Sequence, residues 1–276
     1  DLSMELEELV EQCKRLRPDE WVQVKRGMED NPFTSFSSAT LEDVKRPDGL
    51  NLNLKNVENN RIMQPSLFLP DNIETTDIVP TDLFCEYLDR LDSVWDFGTE
   101  MARRSRIDAI ITAAIATSGV ELQTYCEVIN DWSGQGFSYQ GNVDYMIGAG
   151  GESSLLVVQA KIDWPDSAVA QVLAEAGCLL KNRQLNGKST PVFAVLTNAV
   201  FFQFFAIDAN SVVFTSGVPT PLRTDGSYKS STSLVQILRW MHWFIKSMAV
   251  VSALGSQTDA AEAVSAVTRY FRDVQL

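Results

Sequence analysis

Apolar and polar residues alternate in two neighbouring stretches near the middle of the chain, residues 143–147 and 155–162. A period of two is typical of half-buried strands. The glycine-rich segment between the two stretches indicates that they form adjacent antiparallel strands. Within the second strand, Gln159 and Lys161 lie on one face because they are two positions apart.

Three polar side chains interrupt these two apolar strands. Asp144 lies on the first, and Gln159 and Lys161 end the second. Burying an acid, an amide and an ammonium group costs free energy unless they pair or hold a ligand. We therefore expect a functional site here. The structural alternatives are that Asp144 ends a strand, that Gln159 satisfies a backbone group, and that Lys161 reaches solvent from the sheet edge.

The same patterns predict further elements around this hairpin. Apolar spacing near 3.6 predicts helices at residues 82–95, 99–117 and 167–182. Strands are expected at residues 121–130, 142–148, 155–163, 191–198 and 201–208, with a glycine-rich loop at residues 133–141. The order αβββαβ predicts an α/β fold with a mixed central sheet flanked by helices, in which the strand–helix–strand crossover pairs the inner strands in parallel. The strands at 192–196 and 201–205 should be central and buried.

Two apolar segments near the C-terminus complete the predicted domain, residues 81–276. Polar residues recur at helical spacing through residues 234–254, which predicts an amphipathic helix on the core in preference to a membrane span. Residues 258–274 predict a terminal helix.

Residues 1–80 have a different composition. Residues 1 to about 30 predict a helix, and the segment that follows is rich in Asn, Pro, Ser and Asp. We expect a helix and an irregular arm that pack on the main domain, with the arm available to a protein partner.

Charge and composition exclude several classes of function. The 276 residues carry a net charge of −13, which argues against a broadly basic surface. The chain has one histidine and four well-separated cysteines, so it lacks the residues of a zinc site or a Ser-His-Asp triad. A bound metal should be a hard, oxygen-liganded ion such as Mg²⁺ or Mn²⁺. Reduced thiols and the lack of a signal-peptide pattern predict an intracellular protein of the cytoplasm or nucleus.

Several sequence strings together carry a resemblance to a known family. They are TEMARRSRIDAII, GNVDYMIG, LLVVQAK, AVAQVLAEA and PVFAVLTNAVFFQFF, and they cover residues 99–208. They resemble the PD-(D/E)xK (restriction-endonuclease-like) nuclease superfamily, and within it the nuclease-like C-terminal domains of fungal and oomycete Crinkler-type effectors. The resemblance implies a restriction-endonuclease-like αβββαβ core and hydrolysis of phosphodiester bonds, which needs a metal ion to neutralise developing charge.

The resemblance also assigns roles to residues. Asp144 is the metal-binding acid, Gln159 the second ligand and Lys161 the catalytic lysine. The carbonyl of Ala160 adds a ligand, and Glu100 is the helix-borne acid, with Glu127 as its alternative. The superfamily most often has Glu at the position of Gln159. Gln removes one negative charge, although Mrr-type restriction enzymes resemble this QxK form.

Nucleic acid, most simply DNA, is the partner that the resemblance implies. Gln171 matches a position that faces the site. Two basic groups are expected to flank one groove, and the alternative for the first group is a solvated helix face. The residues are Arg103, Arg104 and Arg106 in one group, and Lys181 and Arg183 in the other. The alternative function is a catalytically inactive nuclease fold that acts as an interaction module, or as an effector delivered into a host cell.

Overall fold

Elements with defined positions cover most of the chain. A computed structural model describes residues 33–54, 57–58, 61–62, 65–74, 78–134, 137–148, 154–161, 167–188, 191–223, 226–252 and 257–271. The helix predicted at residues 1 to about 30 lies outside these ranges. The helices are α1 (Leu41–Lys45), α2 (Asp71–Glu74), α3 (Asp82–Val94), α4 (Glu100–Ser118), α5 (Ser167–Leu185), α6 (Thr232–Ser252) and α7 (Gln257–Thr268). The strands are β1 (Phe33–Ser35), β2 (Val57–Glu58), β3 (Arg61–Ile62), β4 (Gln123–Ser133), β5 (Ser138–Gly148), β6 (Ser154–Ala160), β7 (Val192–Thr197), β8 (Phe201–Ile207), β9 (Val213–Thr215) and β10 (Thr220–Pro221).

Eight of these strands form one mixed sheet. Its order is β1-β5-β6-β7-β8-β10, with β4 also paired to β5 and β9 to β8. Strands β5 and β6 are antiparallel, and β6 runs parallel to β7 after the crossover through α5. The predicted α/β class, with a mixed sheet flanked by helices, is therefore confirmed.

The centre of the core lies on β7, β8 and the helix α6. Every residue of β7 is buried, and so are residues 202–207 of β8. Phe193 packs on Phe244 with ring centroids 4.5 Å apart, and Phe204 stacks on Trp240 at 5.4 Å. The apolar side of α6 thus packs on the sheet, as its amphipathic pattern predicts. Within the described ranges, no helix has the length and apolar character needed to cross a membrane.

The described part of residues 33–80 packs into the same core as the rest of the chain. Strand β1 pairs in parallel with the start of β5. Leu50, Leu52 and Leu67 are buried among the core residues of the larger predicted domain. Thr40 caps α1, accepting a hydrogen bond from the backbone N–H of Asp43. This segment packs on the rest of the described chain and adds strand β1, which the sequence patterns did not predict.

The predicted site lies where strands β5 and β6 stop pairing and diverge. The ladder between them runs from Gly148↔Ser154 to Tyr145↔Val158 and ends there. Asp144 on β5 and Gln159 on β6 are the next residues beyond the last pair. Helix α4, capped by Thr99, brings its first turns to this point.

Candidate active site

Asp144 lies where β5 and β6 separate, and its carboxylate bonds to both β6 and α4. Oδ2 accepts the backbone N–H of Ala160, with N and O 2.7 Å apart. The same oxygen accepts the side-chain amide of Gln159. The carboxylate therefore takes the place of a ladder acceptor for the Ala160 N–H, which fixes its position between the strands.

Gln159 connects the carboxylate to the backbone of its own strand. Its Nε2 lies 2.5 Å from Asp144 Oδ2 and donates a second bond to the Ala160 carbonyl oxygen at 3.0 Å. Its Oε1 is buried and has no hydrogen-bond partner among the residues that the structure describes. An unpaired buried acceptor costs free energy, so this amide is under-satisfied.

Lys161 follows directly after β6. Its backbone N–H donates to the Thr197 carbonyl of β7 at 2.9 Å, which continues the parallel pairing by one residue. The half-buried side chain is close enough to interact electrostatically with Asp144. The structure thus brings together Asp144, Gln159, Ala160 and Lys161, as the sequence predicts.

Arg104 is the cation at the centre of the acidic cluster. Its guanidinium donates to Asp144 Oδ1 at 2.5 Å and to Glu100 Oε1 at 3.1 Å, and it also donates to Glu127. Glu100 is one helical turn away on α4. Glu127 reaches the cluster from β4, where its φ of 52° lies in the left-handed region. The two acids that the sequence left as alternatives therefore bind the same guanidinium.

The buried setting changes the proton affinity of Asp144 and Arg104. Burial raises the pKa of Asp144, while the Ala160 N–H and the Arg104 charge act in the opposite direction. Burial lowers the pKa of Arg104, but its hydrogen bond to Glu127 and the charge of Asp144 outweigh this and raise it. The ion pair thus keeps Arg104 charged inside the cluster.

Helix α5 adds an acid that the sequence reasoning missed. Glu175 is fully buried, and Gln171 donates to its Oε1 at 3.0 Å. Burial raises the pKa of Glu175 well above its usual range, the Gln171 bond lowers it, and the charges of Asp144 and Lys161 act in opposite directions. Gln171 and Glu175 are one turn apart in a stretch, residues 168–180, that is otherwise apolar, and this spacing was a signal that could have identified Glu175.

The other predicted basic residues lie apart from the acidic cluster or are already paired. Arg103 donates to the Phe97 carbonyl, and Arg106 binds Asp92 and stacks on Phe97. Lys181 donates to Ser211 at 3.1 Å, and Arg183 to the Ser154 carbonyl at 3.3 Å.

The second basic group does not adjoin Asp144. Ser154 begins β6, whereas Gln159 lies near its end. At about 3.3 Å per residue, these positions are roughly 16 Å apart. The pairing of β7 with β8 places the turn that contains Ser211 at the same end of the strands as Ser154, away from Gln159. The expectation that Lys181 and Arg183 flank one groove with the arginines of α4 therefore has no support in their positions.

The oxygen atoms around Gln159 fit a hard divalent cation. The amide end of Gln159 already lies within 3.0 Å of the Asp144 carboxylate and the Ala160 carbonyl. Turning the amide over would present Oε1, now without a partner in the described structure, to the same place. Carboxylate, amide and carbonyl oxygens are the ligands that Mg²⁺ and Mn²⁺ prefer. No group of three or more His, Cys, Asp or Glu side chains within the described ranges is placed to hold a metal, so the fit depends on the amide and the carbonyl.

Comparison with known proteins adds no relative. No family model matches the chain, and a search of curated proteins finds no match. The resemblance to restriction-endonuclease-like nucleases therefore rests on the sequence strings alone.

Proposed function

We propose that the protein is a metal-dependent nuclease of the PD-(D/E)xK, restriction-endonuclease-like type that hydrolyses phosphodiester bonds in DNA. The observation that carries the proposal is the meeting of three groups at the separation of β5 and β6. Gln159 Nε2 lies within 3.0 Å of both the Asp144 carboxylate and the Ala160 carbonyl oxygen, and Lys161 follows in the chain.

Each of these residues has a defined role in the proposed reaction. Asp144, Gln159 and the Ala160 carbonyl would hold Mg²⁺ or Mn²⁺. Such an ion, when bound, makes water more acidic and offsets the charge that develops on the phosphate. Lys161 donates a hydrogen bond to the attacking water or to a phosphate oxygen, and its positive charge stabilises the transition state.

DNA is the substrate that the charge near α4 favours. Arg103 is bonded to carbonyl oxygens of Phe97 and Asn198, and no carboxylate in the described ranges neutralises it. Lys161 is a second positive charge, and its backbone is bonded to Thr197, the neighbour of Asn198. Two such charges near the ends of β6 and β7 attract a phosphate backbone, although the net charge of the chain is −13.

The substitution Asp144→Asn tests the proposed function. The amide keeps the size of the carboxylate and removes its charge, so cation binding is lost and cleavage falls by at least about a hundredfold. The measurement is nicking of supercoiled plasmid with Mn²⁺ or Mg²⁺, and EDTA should abolish it in the wild-type protein. Wild-type rates in the Asn variant would overturn the proposal.

A second candidate function, favoured by Arg104, is an inactive nuclease fold that acts as an interaction module. The guanidinium contacts three carboxylates and offsets part of their charge without any metal. In that case a partner would bind elsewhere, for example on the segment before residue 81. Thermal unfolding separates the two functions. Millimolar Mn²⁺ raises the melting temperature of a protein that binds it, and an unchanged temperature supports the interaction module.

A further inference from the structure

The proposed cation site has little negative charge for a divalent ion. Its three ligands, Asp144, Gln159 and the Ala160 carbonyl, contribute one negative charge, and Lys161 beside them contributes one positive charge. Sites for hard divalent cations gain affinity with each carboxylate they contain. A second acid is therefore needed, and Gln159 does not provide it.

Glu100 and Glu127 do not meet this need. Arg104 already binds one oxygen of each, at 3.1 Å for Glu100. Both acids are more than two-fifths exposed, with side-chain exposures of 41% and 49%. Their charge is largely offset by the guanidinium and by solvent.

Glu175 has the properties that the other two acids lack. Its side chain has no solvent exposure, and its carboxylate interacts electrostatically with both Asp144 and Lys161. Gln171 holds Oε1, whereas Oε2 is buried with no hydrogen-bond partner among the described residues. A carboxylate oxygen left unpaired in the interior costs free energy unless something binds it.

Gln159, on strand β6, shows the same deficit. Its Oε1 is also buried without a partner in the described structure. The two unpaired oxygens belong to residues on the helix and strand that enclose the site, α5 and β6, which pack against each other. With the Gln159 amide turned over, a cation held by both side chains would satisfy both oxygens.

We propose that Glu175 is the second acidic ligand of the cation site and binds a hard divalent ion through Oε2. This inference rests on the proposed function, because it assumes that the ion binds at Asp144. It assigns to helix α5 the negative charge that Gln159 does not supply on β6.

The test is calorimetric titration of the full-length protein with Mn²⁺. Glu175→Gln keeps the shape and removes the charge, and we expect its Mn²⁺ affinity to fall by at least about tenfold. Asp144→Asn should abolish binding. The control is Glu86→Gln, which removes the same charge from an exposed position on α3 and should bind like the wild type. Melting temperatures in EDTA show that each variant is folded.

The outcomes separate the two proposals. Wild-type Mn²⁺ affinity in Glu175→Gln, together with loss of binding in Asp144→Asn, would overturn the role of Glu175 and leave the proposed function standing. Equal losses in Glu175→Gln and Glu86→Gln would also overturn it, since the effect would then be one of overall charge. Unchanged binding in Asp144→Asn would contradict the proposed function itself.

Discussion

At the scale of single residues, Glu175 is an ionisable residue at the least solvent-exposed position of the site. Its carboxyl group is fully buried, and burial raises its pKa well above the usual 4.5. The folded protein therefore binds this proton more tightly than the unfolded chain does. The resulting stabilisation is fully present below pH 4.5 and is lost as the pH rises through the folded pKa.

This linkage predicts how Glu175→Gln changes stability in the absence of metal. The Gln side chain is neutral at every pH, so it avoids the cost of burying a charged carboxylate. The variant should match the wild type near pH 4.5 and become the more stable protein as the pH rises towards 8. Each unit by which the folded pKa is raised contributes about 1.4 kcal/mol.

Urea unfolding in EDTA across this pH range measures the effect. The exposed substitution Glu86→Gln is the control, and its difference from the wild type should stay constant with pH. A constant difference for Glu175→Gln would contradict the raised pKa.

At the scale of elements, β8 shows how the sheet depends on its contact with α6. Phe204 is fully buried and stacks on Trp240, whereas Phe201 in the same strand is 40% exposed. We predict that Phe204→Ala lowers the free energy of unfolding by about 3–5 kcal/mol, because it leaves a cavity against α6. Phe201→Ala should cost much less. Chemical denaturation compares the two, and equal losses would contradict the packing described.

Local patterns identified the elements whose apolar residues either recur with one period or form a continuous buried run. Strands β5 to β8 and helices α3 to α6 lie within a few residues of their predicted positions, because burial imposes a helix or strand period on some and an unbroken apolar run on β7 and β8. The parallel pairing of β6 and β7 also followed from the intervening helix.

The sequence did not predict features that depend on distant contacts. Residues 133–141 suggested a glycine-rich loop, yet β5 begins at Ser138 and Gly141 lies within it. A Cβ at Gly141 would stand 2.7 Å from the Phe36 ring, so glycine is present for close packing on the N-terminal segment. Nothing in the local pattern near Gly141 reveals Phe36.

The same distinction between local patterns and distant contacts applies to the residues of the site. Asp144, Gln159 and Lys161 could be placed together because strand spacing determines which residues meet at the end of a hairpin. The ion pairs of Arg104 could not, since they join α4, β4 and β5. Glu175 was missed because it lies on a helix that reads as apolar core.

At the scale of the whole molecule, the proposed activity must overcome a strongly negative chain. The net charge of −13 repels DNA, and Arg104 and Arg106 are occupied by carboxylates. Lys161, predicted to be the catalytic lysine, is therefore the cation left next to Gln159 and Ala160. Any cleavage should be fastest at low ionic strength, where attraction to the phosphate backbone is least screened.

The rate of plasmid nicking by Lys161→Met, measured with Mn²⁺ at low salt, tests the central claim most directly. Methionine keeps an unbranched side chain of nearly the same length and removes its charge. The control is Lys45→Met, which removes the same charge from α1, where Lys45 pairs with Glu42. We predict a loss of at least about a hundredfold for Lys161→Met and the wild-type rate for Lys45→Met. Equal rates in the two variants would contradict an active site built on Asp144, Gln159 and Lys161.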